Sequence, residues 1–448
     1  MDNGCMGARA AEKLLCGARR IFFVGIGGIS MEGLAHMTLA LGKEVTGCDR
    51  ALSGAAEAAL AEAGARLCED GGDPGGCDLA VYSAAIPDTH PTVVRARALG
   101  IPLMSRADLL AALMQRYPVR VAVAGMHGKS TTVGMLAAIL ERAGLSPTVS
   151  CGAPLTPGGK AWQIGTGDIF LAEACEYRDS FLSLSPTLSV VTNMEWDHPD
   201  YFPDMDAVRR SFSRFLQNSP RAVVGGDCRA LAELSPPDAL RFGFGEGATL
   251  RGTQAGGRLR FWEGGALMGE VRLRVPGDYN AQNALAATLA ARRLGVDYAT
   301  VLDALADFRG VGRRMELVGE VGGGEVYLDY AHHPTEITAA IRGARASAER
   351  VLCLYQPHTY TRTKELWQEF ITALRTADKT VLVDIYPARE APLAGVTSQA
   401  LAEEGGLGYA SSLAAAVGAL LPHMRQGTVL LVMGAGDVER AVPLLLKG

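Results

Sequence analysis

The residues with the clearest capacity for chemistry are Gly125-Met126-His127-Gly128-Lys129-Ser130. An apolar, β-rich run from Val119 ends at this turn, and from Thr131 the sequence reads as an apolar-faced helix reaching Leu140. A strand, a tight loop and a helix start make a concave anion site, because loop N–H groups and the free N–H groups of the first helical turn converge on it. Lys129 can reach outer phosphates, and Ser130 can place a hydroxyl on Mg²⁺. The match covers the GxxGK[ST] half of the phosphate-loop pattern; Val123 stands where the full pattern opens with glycine. The competing reading is a glycine-rich turn with a solvated lysine.

Further polar clusters follow predicted strands. Glu173 comes just after Ile169 to Leu171, and Thr192-Asn193-Met194-Glu195-Trp196-Asp197-His198 comes after Leu188 to Val191. In a parallel sheet both would open onto the crevice that holds Lys129. Glu173 can hold a metal or cap a following helix. His198 can touch a metal or take a structural hydrogen bond, since Mg²⁺ prefers oxygen. Asn280 and Asn283, three apart at the start of an alanine-rich helix, share a face that could read a purine edge or simply cap the helix. Arg313 lies in a predicted linker, Phe308 to Glu316, where it can grip phosphate on domain closure or pair at the surface. Strands at Val326 to Leu328, Val351 to Tyr355, Thr380 to Ile385 and Val429 to Met433 end in polar loops, two of which carry Asp329, His332, His358 and Arg362. Four such ends predict an α/β domain with one functional edge.

These residues need a scaffold, and the rest of the chain supplies its pattern. Ile21 to Val24, the turn Gly25-Ile26-Gly27-Gly28, a helix from Met31 to Leu41 and a strand from Lys43 to Thr46 form half of a mononucleotide fold. Asp49 lies where such a fold binds a ribose, and Ser83 closes the strand Leu79 to Ser83. Leu250 to Val275 alternates as a small antiparallel excursion. The breaks at Tyr117-Pro118 and Phe308 to Glu316 divide the chain into 1–117, 118–311 and 312–448.

A chain of 448 residues with 48% hydrophobic content exceeds one core, and its net charge of −5 offers no basic field for nucleic acid. Fifty-four glycines and 6% aromatics suit many tight strand-to-helix turns. Nine cysteines without a CxxC pair indicate reduced thiols rather than a zinc or redox site. Residues 1–20 lack a long apolar core, and no charge-free apolar run of membrane-spanning length follows, so a cytoplasmic location is expected. A triphosphate loop, a metal carboxylate and two flanking α/β domains suit ATP-driven joining of an acid to an amine through an acyl phosphate.

In order, GIGGISMEGLA (Gly25 to Ala35), YSAAIP (Tyr82 to Pro87), GMHGKSTT (Gly125 to Thr132), EACEYRDSFL (Glu173 to Leu182), TNMEWDHPDYF (Thr192 to Phe202), NAQNALAA (Asn280 to Ala287), FRGVGRRMEL (Phe308 to Leu317), DYAHHPTEI (Asp329 to Ile337), YQPHTYTRT (Tyr355 to Thr363) and IYPARE (Ile385 to Glu390) resemble the Mur ligases of bacterial cell-wall synthesis. The resemblance spans about residues 20 to 448. It implies an α/β, three-domain architecture: an N-terminal Rossmann-like domain, a central phosphate-loop ATPase domain with a mostly parallel sheet, and a C-terminal Rossmann-like domain. It also implies ATP and Mg²⁺ as cofactors, UDP-N-acetylmuramate and L-alanine as substrates, and a monomer or weak homodimer.

By the same resemblance, Gly27, Gly28, Asp49 and Ser83 would hold the uridine diphosphate. Gly125, His127, Gly128, Lys129, Ser130 and Thr131 would surround the ATP phosphates, with Ser130, Glu173 and His198 at magnesium. His198 would also meet the sugar-linked carboxylate. Asn280 and Asn283 would touch adenine, and Arg313 an ATP phosphate. Asp329, His332, His358 and Arg362 would lie toward the ribose or the amino acid. Lys129, Glu173, His198 and Arg313 would be the catalytic set.

The chain departs from the family in Ser30-Met31-Glu32-Gly33, Met126 and Cys151-Gly152-Ala153-Pro154. Glu32 puts a negative charge near the helix start assigned to a diphosphate, at a cost of roughly 0.3 to 1 kcal/mol if it points inward. The alternatives are a ligase that attaches a preformed peptide to the same nucleotide sugar, and a nucleotide-binding relative without turnover. The YQPHTYTRT and EACEY segments favour alanine addition, and retention of Lys129, Ser130, Glu173 and His198 favours turnover.

Overall fold

The computed structural model describes residues 6–447 except Ser53 and Pro276. The first five residues of the stretch read for a targeting signal therefore lie outside the described residues, as does the proline before Gly277.

Among the described residues, three sheets follow one another along the chain. The first is all parallel, in the order 66–68, 44–48, 20–24, 79–82, 103–105. The second has ten strands, in the order 266–271, 258–263, 250–255, 240–243, 222–225, 188–191, 119–124, 169–173, 148–150, 162–163. Its middle is parallel, and its first three strands form the antiparallel excursion expected from the alternation. The third runs 316–321, 324–329, 428–433, 350–355, 379–382, 408–409, parallel apart from its first pair. This is the expected α/β architecture with parallel sheets.

The strand Val119–Ala124 shows why the phosphate loop is so firmly placed. Its last four residues are buried, with Val121 and Val123 facing the core beneath the helices Lys129–Arg142 and Asp278–Arg293, and Ala122 and Ala124 facing the opposite core. A strand buried on both faces cannot slip register without exposing one set of side chains. Its neighbours are Ile169–Glu173 and Leu188–Val191, both parallel, so Glu173 and Thr192-Asn193 open beside the loop.

The helix after the loop starts at Lys129, two residues earlier than the apolar pattern indicates. Gly128, at φ 80°, turns the chain left-handed and frees the first-turn N–H groups. The helices Ala8–Gly17 and Arg106–Gln115 also went unpredicted; they pack in a core continuous from Ile21 and Phe23 to Phe212 and Phe215, which ties the first sheet to the second. At that junction Gly33 abuts Trp162, and His36 stacks on the same indole at 4.3 Å. No helix among the described residues is long and apolar enough to cross a membrane.

Candidate active site

The phosphate loop is braced from the next strand end. Asn193 Oδ1 accepts from His127 N at 2.9 Å, Asn193 Nδ2 donates to His127 O at 2.9 Å, and Thr192 Oγ1 donates to the same carbonyl at 2.6 Å. A Cβ on Gly125 would overlap Thr192 Oγ1, and one on Gly128 would overlap Asn283 Oδ1. Both glycines are therefore demanded by neighbours as well as by their positive φ.

Lys129 Nζ curls back over its loop, donating to Gly125 O at 2.7 Å and Met126 O at 3.1 Å, and stands 2.9 Å from Glu176 Oε2. Burial works against its charge, but Glu176, with Cys175 and Glu173 assisting, raises its pKa to about 12. The lysine is thus a fixed cation at the loop mouth.

Ser130 Oγ donates to Glu173 Oε2 at 2.8 Å, and Gly152 N donates to the same oxygen at 2.8 Å. A Cβ on Gly152 would stand 2.6 Å from Glu173 Oε1. A hydroxyl and a carboxylate, both hard oxygen donors beside a phosphate loop, fit Mg²⁺. His198 makes its contacts with other side chains. Its Nε2 is 3.3 Å from Glu176 Oε1, and its Nδ1 is 3.4 Å from Arg362 Nη2, so both ring nitrogens already have partners.

Beside the loop is a cavity of about 230 Å³, lined by Gly128, Thr131, Asn280, Asn283, Arg314 and Asp329 among others. Asn283 accepts from Thr132 Oγ1 at 3.3 Å and donates to Asn280 Oδ1 at 3.3 Å, which joins the two asparagines on one wall. Asp329 accepts from Met315 N at 2.8 Å and Ala331 N at 2.7 Å; burial nevertheless raises its carboxyl to about 6, against the pull of Arg314.

Arg313 points elsewhere. Its guanidinium reaches Gly434 O and Gly436 O at 3.3 Å and Glu439 at 3.0 Å, inside the C-terminal domain. Arg314, the next residue, lines the cavity and pairs loosely with Glu336 at 3.6 Å. The doublet was visible in the sequence, but which member faces the crevice depends on Arg313 having φ 57°, which no periodicity reveals.

His127 joins two domains, its Nε2 2.9 Å from Glu195 and its Nδ1 3.1 Å from Glu336. Desolvation pushes its pKa down, but the two carboxylates prevail and raise it to about 9. His333 is adjacent, so His127, Glu195 and His333 form a compact set of donor atoms within 4.8 Å. His127 already spends both ring nitrogens on carboxylates, and His333 Nδ1 receives Thr335 N at 3.3 Å, so this set is built as a hydrogen-bonded clasp. Thr335 Oγ1 completes it, donating to Glu195 at 2.8 Å.

Beyond His198 stands a third group. Arg362, 4% exposed, forks onto Asp197 at 2.9 and 3.3 Å and donates to His358 Nδ1 at 3.3 Å. Burial lowers His332 to about 4 and His358 to about 3, so both rings are neutral, while Arg362 holds Asp197 far below the usual carboxylate range. Asp329 thus lines the cavity with the asparagines, whereas His332, His358 and Arg362 gather around Asp197 and His198.

On the N-terminal domain, Asp49 accepts Gly27 N at 2.9 Å and Ala51 N at 2.9 Å, and Ser83 accepts Ala85 N at 3.3 Å. Gly28 is the N-cap of the helix Ile29–Ala40. Arg106 reaches Ser30 Oγ at 3.1 Å across that helix start. It also lines a cavity of about 460 Å³ with Tyr82, Ser105 and the central-domain residues Arg178 and Ser180. Arg106, Asn193, Glu176 and Arg314 were not singled out in the sequence. The first lies in an unpredicted helix, and Asn193 and Glu176 lie inside motifs that also carry Asp197, His198 and Glu173.

Three family descriptions match successive stretches: the Mur ligase family catalytic domain over 20–118, the Mur ligase middle domain over 123–291, and the Mur ligase glutamate ligase domain over 313–436. The chain is 39% identical over 453 residues to a UDP-N-acetylmuramate–L-alanine ligase of Desulfosudis oleivorans, covering 96% of this chain and 98% of that one. It is 40% identical over 449 residues to the enzyme of that name from Acidithiobacillus ferrooxidans, covering 94% and 96%. Among solved structures it is similar to the UDP-N-acetylmuramate–alanine ligase of Thermotoga maritima, with TM-score 0.80, 26% identity, and 96% and 98% covered. A murein peptide ligase of Psychrobacter arcticus gives TM-score 0.75 at 25% identity, with the same shares covered. With near-complete coverage at this identity, the chain belongs to the Mur ligase family.

Proposed function

We propose that this chain joins L-alanine to the lactyl carboxylate of UDP-N-acetylmuramate at the expense of ATP, a step of peptidoglycan synthesis. The observation that carries the reading is the half-buried Lys129 at the mouth of a phosphate loop, beside the Ser130–Glu173 oxygen pair and facing a wall from the C-terminal domain. Full-length similarity to alanine ligases supports alanine as the amine.

In this reading the loop N–H groups and Lys129 hold the ATP phosphates, and the cavity walled by Asn280, Asn283 and Asp329 takes the nucleoside. Ser130 and Glu173 would hold Mg²⁺, which when bound would supply charge neutralisation for phosphoryl transfer. The substrate carboxylate oxygen takes the γ-phosphoryl group and ADP leaves. The free amine of alanine then bonds to the carbonyl carbon, phosphate departs, and the nitrogen loses a proton. The clasp between His127, Glu195 and Glu336 keeps the central and C-terminal domains together, which excludes water from the labile acyl phosphate. Gly27, Gly28, Asp49 and Ser83, with Arg106 beside Ser30 at the helix start, receive the uridine diphosphate. Arg362 and His358 order the wall on the amino-acid side.

The test is release of ADP and phosphate from ATP, Mg²⁺ and UDP-N-acetylmuramate, with mass spectrometry of the nucleotide product. A gain of one alanyl residue that requires every reactant is expected. Turnover with a tripeptide and none with alanine would replace this reading with peptide attachment.

A further inference from the structure

Glu176 belongs to a motif singled out in the sequence, yet no step above uses it. It follows the strand Ile169–Glu173 and occupies the N-cap position of the 3₁₀ segment Tyr177–Ser183. A carboxylate there would ordinarily take free N–H groups of the next turn, but this side chain makes no capping bond. It turns inward and is 2% exposed. A buried carboxylate is tolerated only with partners. Its two oxygens are divided, Oε2 at 2.9 Å from Lys129 Nζ and Oε1 at 3.3 Å from His198 Nε2.

The line continues in both directions. Lys129 is also held by two carbonyls of its own loop. His198 Nδ1 accepts from Arg362 Nη2, which puts the ring proton on Nε2 facing Glu176. Arg362 then forks onto Asp197. One carboxylate therefore stands where the phosphate-loop lysine, a histidine of the neighbouring strand end and an arginine of the C-terminal domain come into a single line.

We propose that Glu176 is a positioning residue for phosphoryl transfer, fixing the Lys129 ammonium and the His198 ring relative to each other so that the phosphate and acceptor ends of the crevice are set together. This rests on the ligase reading. A lysine on a flexible four-carbon stem loses freedom when transferring charge must be met at one point, and a carboxylate that has already fixed it removes that cost from the reaction. The role needs a carboxylate in particular. Lys129 Nζ and His198 Nε2 are both donors, and a glutamine of the same shape offers one acceptor oxygen, so it can satisfy only one of them.

The experiment compares wild type with Glu176→Gln, Glu176→Ala, Glu176→Asp, His198→Asn and the double variant Glu176→Gln/His198→Asn. It measures kcat, KM for ATP, ADP affinity by calorimetry, and thermal midpoint. Glu176→Gln is expected to lower kcat on the order of tenfold or more while ADP affinity changes less than about threefold, and Glu176→Asp to recover part of the loss. The double variant is expected to fall little below the worse single, because both changes break one line. Wild-type kcat in Glu176→Gln and Glu176→Ala would overturn the proposal. So would full additivity with His198→Asn, or a loss that tracks only the unfolded fraction. If wild type itself shows no alanine-dependent turnover, the ligase reading fails separately. Glu176 is then judged by crystal structures, where Lys129 and His198 shifting in Glu176→Gln upholds its role and both staying in place refutes it.

Discussion

His127 of the phosphate loop stands 3.1 Å from Glu336 of the C-terminal domain, so the loop built to meet phosphate is also bonded across a domain junction. The bond is ionic, because two carboxylates raise the imidazole to about 9 against the effect of burial. Glu195 and Glu336 are both lowered from the ordinary glutamate value and remain charged above neutrality. The folded pKa of His127 lies above its ordinary 6.5. Its contribution is therefore complete below about pH 6.5 and is lost as pH rises through about 9. Between those limits the thermal midpoint of wild type should fall more steeply than that of His127→Asn. The difference should be on the order of 2 kcal/mol, less than the whole shift because Glu195 is partly solvated. Parallel stability curves in the two proteins from pH 6.5 to 9 would show that the clasp carries no linked proton.

Gly128 faces two separate demands: its φ is 80°, and a Cβ would overlap the Asn283 side chain. The backbone demand alone costs roughly 1–2 kcal/mol for an L-residue. Displacement of Asn283 adds a local effect on the nucleoside wall. Gly128→Ala should therefore weaken ADP binding by more than its loss of stability explains, and calorimetry of the folded variant reads this directly. Unchanged ADP affinity would mean that Asn283 does not face the nucleoside.

Arg313 and Arg314 separate what the sequence conveys from what only the fold decides. The strand, loop and helix around Lys129, the parallel neighbours ending at Glu173 and Asn193, and the antiparallel run after Leu250 all followed from local pattern, because burial on one or two faces imposes a period. The shared face of Asn280 and Asn283 also survived, since helix spacing fixes it. Glu176 and Arg314 did not emerge. A buried carboxylate in a loop, or one arginine of a pair, has no period, and its direction is set by a distant partner such as Lys129 or Glu336. The helices Ala8–Gly17 and Arg106–Gln115 were missed for another reason: the first buries only Ala8, Ala11 and Leu15, and the second is buried from Asp108 to Met114 without a one-sided period.

The same pair gives a direct prediction. Arg314→Ala removes a cation from the cavity that holds Asp329 and the asparagines, and should raise KM for ATP about tenfold or more with little change in the fold. Arg313→Ala removes contacts to Gly434, Gly436 and Glu439, and should chiefly lower the thermal midpoint. Steady-state kinetics beside thermal unfolding distinguishes them. The reverse pattern would mean that Arg313 turns toward phosphate when nucleotide binds, as the family resemblance implies.

Ser130 and Glu173 allow a test of metal use that does not depend on overall activity alone. Glu173 Oε2 is held by Ser130 Oγ and Gly152 N, and Gly152 leaves no room for a side chain beside Oε1. Ser130→Ala removes one hard oxygen donor but leaves Glu173 anchored by Gly152. Glu173→Gln keeps the shape and removes the charge that attracts a divalent cation. Both variants should bind ADP without metal about as well as wild type, yet lose most of the gain in affinity that Mg²⁺ confers, with Glu173→Gln the more affected. Gly152→Ala should resemble Glu173→Gln, because the added methyl displaces the carboxylate. Equal Mg²⁺ enhancement of ADP binding in wild type and Glu173→Gln would remove Glu173 from the metal site and direct the search toward His198 and Glu176.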